Sequence, residues 1–210
     1  MNPHIVILAA GDFPKAEAPL QALREADVRI CCDSAAENLV AAGMEPDYIV
    51  GDLDSISADF RERYADRITH VSEQDDNDLT KAFHLALTLQ PAGITILGAT
   101  GRREDHTLGN VSLLIDYVRE ASCPVEMITD HGRFKVILDT TTLAVTPGQP
   151  VSIFAFDNSL KITSAGLKYP TDAVCFDSLW KATLNTALSE TFTLTLSHPC
   201  GVLLFFADDF

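Results

Sequence analysis

Tyr48-Ile49-Val50-Gly51-Asp52-Leu53-Asp54-Ser55 is an apolar, β-rich run that stops at a glycine and opens into two carboxylates. The run has strand residues, and Gly-Asp-x-Asp-Ser has turn residues. The arrangement recurs twice. Ile68-Thr69-His70-Val71 leads to Asp75-Asp76-Asn77-Asp78-Leu79-Thr80-Lys81, and Ile94-Thr95-Ile96-Leu97 leads to Gly98-Ala99-Thr100-Gly101-Arg102-Arg103-Glu104-Asp105-His106. In an open parallel sheet the strand C-termini converge on one crevice, where ligands bind. Three acidic loops facing one point repel each other unless a cation lies between them. Hard oxygen ligands suit Mg²⁺, which usually reaches a protein through a few carboxylates plus substrate phosphates.

The flanking sequence supports such a sheet. Ile5-Val6-Ile7-Leu8 reads as a strand, Pro14 to Glu25 as a helix, and Val28 to Cys32 as a strand ending at Asp33. Ser34 to Ala42 reads as a helix closed by Gly43. Helices over Ala58 to Tyr64, Asp78 to Leu89 and His106 to Glu120 alternate with strands at Ile68 to Val71, Ile94 to Leu97 and Val125 to Thr129. Leu79, Ala82, Phe83, Ala86 and Leu87 recur at helical spacing. Alternating strands and helices predict a parallel sheet covered on both faces, a Rossmann-like α/β domain over residues 1–133. From Phe134 the helical period disappears. Phe134 to Leu138, Leu143 to Val145, Val151 to Phe156, Phe192 to Leu196 and Val202 to Phe206 read as strands separated by turn residues. Residues 134–210 are therefore expected to form an all-β sandwich or flattened barrel, with its nearly all-apolar last strand buried on both faces.

Composition limits the function. The 210 residues carry 30 acidic against 15 basic side chains, a net charge of −15. That counts against nucleic acid and anionic membrane surfaces as partners. A polyphosphate substrate stays compatible if a metal masks the local charge. The five cysteines are odd in number and irregularly spaced, which favours a reducing compartment, and hence the cytoplasm, over a disulfide framework. No Cys-x-x-Cys pair points to zinc. The chain shows neither a signal-peptide pattern nor the ~20-residue apolar run of a membrane helix.

Each motif has a plain structural reading beside the chemical one. Asp52 and Asp54, at i and i+2 on extended backbone, would point the same way and share a metal, or they would simply form a turn. Asp78 would ligate a metal or cap the following helix, with Lys81 one turn on and able to reach a phosphate. Gly98, Thr100 and Gly101 precede a helix N-terminus, a natural anion site, and Arg103 can fork onto a phosphate. Asp105 and His106 at that helix start are a cap, a ligand or a base. Together the three loops compose a site for a metal-bound polyphosphate, where positioning and charge stabilisation carry the chemistry.

These residues resemble the thiamin pyrophosphokinase family. The family pattern runs Asp-Gly-Gly-Ala, Pro-Asp with Gly-Asp-x-Asp-Ser, Asp-x-x-Asp-x-Thr-Lys, Gly-x-x-Gly-Gly-Arg-x-Asp-His, Gly-Leu-Lys-Tyr/Trp-Pro and Thr-Ser-Asn. Here stand Asp33-Ser34-Ala35-Ala36, Pro46-Asp47 with Gly51 to Ser55, Asp75 to Lys81, Gly98 to His106, Gly166-Leu167-Lys168-Tyr169-Pro170 and Thr183-Leu184-Asn185. The resemblance implies an ATP:thiamin diphosphotransferase with Mg²⁺ as cofactor. It also implies a homodimer that binds thiamin between subunits. By motif position, Asp52, Asp54, Asp78 and Asp105 would be the catalytic and metal-binding set. Lys81, Gly98, Thr100, Gly101, Arg103 and His106 would hold ATP, and Asp33, Gln74, Thr183 and Asn185 would line the thiamin cleft. Ser34-Ala35 stands in place of Gly-Gly, Arg102 in place of a glycine, and Leu184 in place of the serine whose hydroxyl the family is expected to set near the thiamin pyrimidine. Two rival readings accompany this one: a Mg²⁺-dependent aspartyl-phosphate hydrolase using Asp52 and Asp54, and a nucleotide- or thiamin-binding protein with weak turnover.

Overall fold

The β-branched and aliphatic runs of the first half pair as parallel strands because each is apolar on both faces and needs helices above and below. The computed structural model describes residues 2–69 and 76–208. It divides into two units, Met1–Asp130 and His131–Phe210.

The first unit runs β1 (His4–Leu8), α1 (Glu17–Glu25), β2 (Val28–Cys32), α2 (Ala35–Ala41), β3 (Tyr48–Val50), α3 (Ala58–Arg63), β4 (Ile68–Thr69), α4 (Asp78–Thr88), β5 (Gly93–Leu97), α5 (Glu104–Glu120) and β6 (Val125–Thr129). Its strands lie in the order β6-β5-β1-β2-β3-β4, with every pairing parallel. The β1–β5 register sets Ile7 beside Ile96 and Leu8 beside Leu97. Val6, Leu8, Cys31 and Ile49 pack on one face with Leu23, Ala35 and Leu39 from α1 and α2. On the other face α4 lies against β1, β2 and β3, burying Leu79, Ala82, Phe83 and Ala86. The Phe83 ring stacks on Tyr117 of α5, with centroids 4.2 Å apart.

The chain steps outward from β1 to β4, then returns to the opposite side of β1 as β5. This reversal is the topological switch point, where an open α/β sheet forms its binding crevice. The loops leaving β1 and β5 lock together there. Gly11 N–H donates to the Gly98 carbonyl at 2.7 Å, and Asp12 N–H to the Thr100 carbonyl at 2.9 Å. A Cβ on Gly11 would lie 2.3 Å from the Gly98 oxygen and 2.4 Å from the Thr100 oxygen. Only glycine permits backbone approach this close.

The second unit has no helix among its described residues. It contains β7 (Gly132–Ile137), β8 (Thr141–Ala144), β9 (Pro150–Ala155), β10 (Ile162–Ala165), β11 (Asn185–Thr186), β12 (Thr191–Leu196) and β13 (Val202–Ala207). One antiparallel layer is β11-β9-β13-β7 and the other β10-β12-β8. Val151, Ile153, Val202 and Leu204 of the first meet Ile162, Phe192 and Leu194 of the second in one core. This is a sandwich. Central β13 pairs with both β7 and β9, which accounts for its nearly continuous apolar sequence.

The differences from the sequence reading are local. α1 starts at Glu17 because the Lys15 and Ala16 N–H groups donate to the Asp130 carboxylate, at 2.8 and 2.9 Å, and hold the preceding segment extended. α5 starts two residues early, at Glu104, so Asp105 and His106 sit inside its first turn. β10 and β11 were not anticipated: one is a short Ile-Thr-Ser-Ala edge, the other two residues long. The expected strand through Val71 extends into residues outside those described.

The Gly11 contact makes a stability prediction. Gly11→Ala forces two carbonyls apart at the switch point and is expected to cost several kcal/mol, of the order of other strained or overpacked positions. Denaturant titration checks it, and a midpoint equal to the wild type's contradicts the tight-approach account.

Candidate active site

The C-terminal ends of β1, β2, β3 and β5 and the N-termini of α4 and α5 surround a cleft of ≈ 750 Å³ within the first unit. Asp33, Asp52, Asp76 and Asp78 line it together with Lys81, Arg102, Arg103, His106, Thr100 and Asn110.

Asp33 is the joint of the acidic side. Its Oδ1 accepts the Leu53 N–H at 3.0 Å, and its carboxylate lies directly over Gly51. A Cβ there would sit 2.0 Å from Oδ1, and the Gly51 φ of +153° is itself rare for other residues. Asp33 and Leu53 adopt left-handed backbone, φ 46° and 65°. The cost of placing non-glycine residues there is of order 1–3 kcal/mol each, and such strain collects at functional loops. Leu53 also overturns one premise. The Asp52–Asp54 stretch is not extended, because Asp54 N–H turns back to Asp52 Oδ1 at 3.0 Å. Both carboxylates are exposed, but Asp52 lines the cleft and Asp54 does not.

Asp78 opens α4, but Asn77 is the cap: its side chain accepts from Thr80 N–H at 2.8 Å. The carboxylate of Asp78 is thereby released to the cleft, where Lys81 Nζ lies 3.2 Å away. Lys81 is only 10% exposed, so its charge is aimed rather than free in solvent. Thr80 Oγ1 and Tyr117 OH, 2.8 Å apart, anchor this first turn to α5. Burial is the largest influence on the Asp33 carboxyl, and the nearby Asp78 and Asp52 carboxylates reinforce it against the opposing Leu53 hydrogen bond. The result is a pKa raised to about 6.

On the other wall the residues read as phosphate ligands are distributed differently. Thr100, Arg103 and His106 line the cleft. Gly98 and Gly101 face the β1 loop: Gly98 through its carbonyl, Gly101 by leaving room for the Asp12 carboxylate. Asp105 is exposed and forked by Arg103, and it accepts the His106 N–H at 2.8 Å. The Arg103 pairing first, and that backbone bond second, hold its carboxyl down to about 2. The helix N-terminus is therefore partly served by its own first turn. No three of these aspartates bring oxygens within 4.8 Å of one another among the described residues. The cleft offers separated oxygen donors and repelling charges, which suits a cation completed by substrate oxygens better than a closed protein cage.

The residues expected on the thiamin side fall in the second unit, apart from Asp33 and Gln74. Gln74 lies outside the described residues. Asn185 is buried and committed: its Oδ1 accepts from Tyr169 and Thr186 N–H, and its Nδ2 donates to the Tyr169 carbonyl at 2.7 Å. Thr183 Oγ1 donates to the Trp180 carbonyl at 2.8 Å. Leu184, which stands in place of the family serine, is 61% exposed and adopts left-handed backbone at φ 58°. Sequence reasoning missed the β1 loop, Ala9 to Gly11, which lines the cleft. A glycine directly after the first strand was the available signal.

Two expectations follow. Native Asp33 holds its proton to about pH 6, whereas unfolded Asp33 releases it near 3.8. Between those values the native state binds more protons, so stability falls as pH rises through the window and the deficit persists above it. Asp33→Asn keeps an acceptor for Leu53 and removes the charge. It is expected to gain about 1–2 kcal/mol at pH 8 relative to its effect at pH 4, after discounting for solvent screening. A pH-independent effect in thermal unfolding contradicts this. Leu184→Asn replaces an exposed leucine with a residue tolerant of left-handed backbone. It is expected to raise Tm by about 1–4 °C, and calorimetry checks it.

Comparison with known proteins adds a consistent set of relatives. Residues 20–127 match the family model described as thiamin pyrophosphokinase, catalytic domain. Residues 132–205 match that of the thiamin pyrophosphokinase substrate-binding domain. A thiamine pyrophosphokinase of Bacillus subtilis (strain 168) is 42% identical over 153 residues, covering 66% of this chain and 67% of the relative. Thiamine pyrophosphokinase 1 of Oryza sativa subsp. japonica is 34% identical over 116 residues, 42% of this chain and 43% of the relative. In fold, the crystal structure of the Bacillus subtilis thiamine pyrophosphokinase superposes with TM-score 0.81 at 24% identity, over 99% of this chain and 100% of that one.

Proposed function

The chain belongs to the thiamin pyrophosphokinase family, and from that premise we propose that it transfers a diphosphoryl group from ATP to the hydroxyl of thiamin, giving thiamin diphosphate and AMP. The observation that carries this reading is the cleft at the switch point. It gathers Asp33, Asp52 and Asp78 with Lys81, Arg102 and Arg103 in one cleft, a set of carboxylates and cations suited to a metal-bound polyphosphate.

The proposed roles follow the geometry. Lys81, held at α4 by Asp78, and Arg103 engage phosphate oxygens and stabilise charge that builds on them in transfer. Thr100 and the β1 loop give the polyphosphate a close backbone wall. The metal-holding set matched by motif is Asp52, Asp54, Asp78 and Asp105, of which Asp52 and Asp78 line the cleft. Mg²⁺ fits these oxygen donors and would supply Lewis-acid neutralisation of the phosphates when bound. The thiamin hydroxyl must lose a proton on attack. Asp33 is the carboxyl raised towards neutrality and is the proposed acceptor. Asp105 is held near 2 by Arg103, which makes it a poor base. Thiamin is taken to bind with the help of Asp33, Gln74 and Thr183, while Asn185, matched by motif, acts through the Tyr169 backbone that its amide holds. The second unit leaves Tyr169, Leu179, Trp180, Leu184 and Leu188 exposed, apolar surface that a second copy of the chain would cover in a homodimer with the substrate site between subunits. A cytoplasmic location accords with the free cysteines. No helix among the described residues is long and apolar enough to cross a membrane.

The phosphohydrolase reading has less support, because Asp54 does not line the cleft. Incubation with ATP, Mg²⁺ and thiamin separates the alternatives: AMP with thiamin diphosphate is expected, whereas orthophosphate release or simple binding sinks the proposal. Asp52→Asn and Asp78→Asn are expected to lower kcat/KM by about 10²-fold or more with an unchanged circular dichroism spectrum. Near-normal turnover in both variants argues against the acidic wall as the catalytic one.

A further inference from the structure

A second cluster of ligating side chains lies in the sandwich unit, apart from the residues that line the cleft. Asp157 sits in the turn after β9, and His198 and Cys200 in the loop between β12 and β13. One ligand atom from each lies within 4.8 Å of the others, and all three residues are half-buried. His198 Nε2 and Asp157 Oδ2 are 3.2 Å apart, while Nδ1 of the same ring faces Ser197 Oγ at 3.0 Å. Asp157 Oδ1 accepts the Ser159 N–H at 2.8 Å and the Ser159 hydroxyl at 2.7 Å, leaving Oδ2 as the atom turned towards the other two groups. The backbone holds the loops in place: Ser197 N–H donates to the Lys161 carbonyl at 3.0 Å, and Cys200 N–H to the Leu138 carbonyl at 3.0 Å. Pro199 between the two loop ligands fixes its own φ and stiffens the short chelating arm.

We propose that Asp157, His198 and Cys200 form a site for one divalent transition-metal ion of the zinc type, bound by a carboxylate, an imidazole and a thiolate. The donor set selects the ion. Thiolate and imidazole favour zinc-like metals over Mg²⁺, whose preferred ligands are oxygens. Three protein ligands leave a fourth tetrahedral position open to water. Two of the three ligands have the outer partner that metal sites use for orientation: Ser197 for the imidazole and Ser159 for the carboxylate. On binding, the His198–Asp157 hydrogen bond gives way to two metal bonds. The ring proton, on Nε2 while it donates to Asp157, shifts to Nδ1 as Nε2 takes the metal, so that Nδ1–H then faces Ser197, and Cys200 exchanges its thiol proton for the metal, a net release of one proton to the buffer. The absence of a Cys-x-x-Cys pair hid this site, because the carboxylate ligand Asp157 lies 41 residues before His198.

The test uses the full chain with Zn²⁺ and, as a spectroscopic probe, Co²⁺, both in excess Mg²⁺ so that the oxygen sites of the cleft are already served. One equivalent of Co²⁺ is expected to give a thiolate-to-cobalt charge-transfer band and tetrahedral visible bands. Zn²⁺ should bleach them, with release of about one proton. Zn²⁺ at a hundredfold excess over its Kd is expected to raise Tm by roughly 5–10 °C. Cys200→Ser should lose the band, and His198→Ala should lose the Tm response. Cys175→Ser, at an exposed cysteine elsewhere, should keep both. A band that survives Cys200→Ser overturns the proposal. So does a wild-type chain without Co²⁺ or Zn²⁺ response whose Tm nevertheless falls in Asp157→Asn, because the three side chains would then be a hydrogen-bonded clasp between loops.

Discussion

One hydrogen bond organises the acidic side of the cleft: Leu53 N–H to Asp33 Oδ1, at 3.0 Å. It ties the end of β2 to the loop after β3, and it does so with a carboxylate pressed onto the α-carbon of Gly51. The same carboxylate faces Asp52 and Asp78. An anion is thus kept beside other anions because its local geometry leaves it nowhere else to go. Burial and repulsion then raise its pKa to about 6. A group spends this kind of stability where function needs unneutralised charge, and a bound cation and phosphate would relieve it.

The opposite wall is built from backbone. Gly11, Gly98 and Thr100 knit the loops after the first and fifth strands together across the switch point, so this wall is tied by its own backbone. Between the walls, α4 delivers Asp78 and Lys81 from one helical turn, and Asn77 takes over the capping duty. Tyr117, stacked on Phe83 and hydrogen-bonded to Thr80, transmits the packing of the core to that turn. Regular elements hold Asp78 and Lys81, and the left-handed non-glycine backbone beside the cleft lies in the loops at Asp33 and Leu53.

The alternation of strands and helices was legible because each period is written locally: continuous apolar runs for β1 and β5, helical spacing for α4. The change to all-β sequence near residue 133 was legible for the same reason, and the second unit opens with β7 at Gly132. Short edges such as β10 and β11 were not, since elements of two to four residues are too short to display a period. Among site residues, the motifs located Asp52, Asp78, Lys81 and Arg103 in the cleft wall. Their partners were invisible: nothing in the local sequence tells that Asp105 is claimed by Arg103, or that Asn185 spends its amide on Tyr169.

The sequence by itself determined the element types, the two-part organisation and the family, because propensity, hydrophobic period and motif spacing are properties of neighbours along the chain. Only the tertiary structure decided which loops meet. The return of β5 beside β1 brings residues near Gly11 and Gly98 into contact, and the turn at Leu53 separates Asp54 from Asp52. Likewise Asp157 meets His198 only because β9 and β13 pair in register. These are contacts across long sequence separations, set by sheet order and backbone strain, which no window of sequence contains.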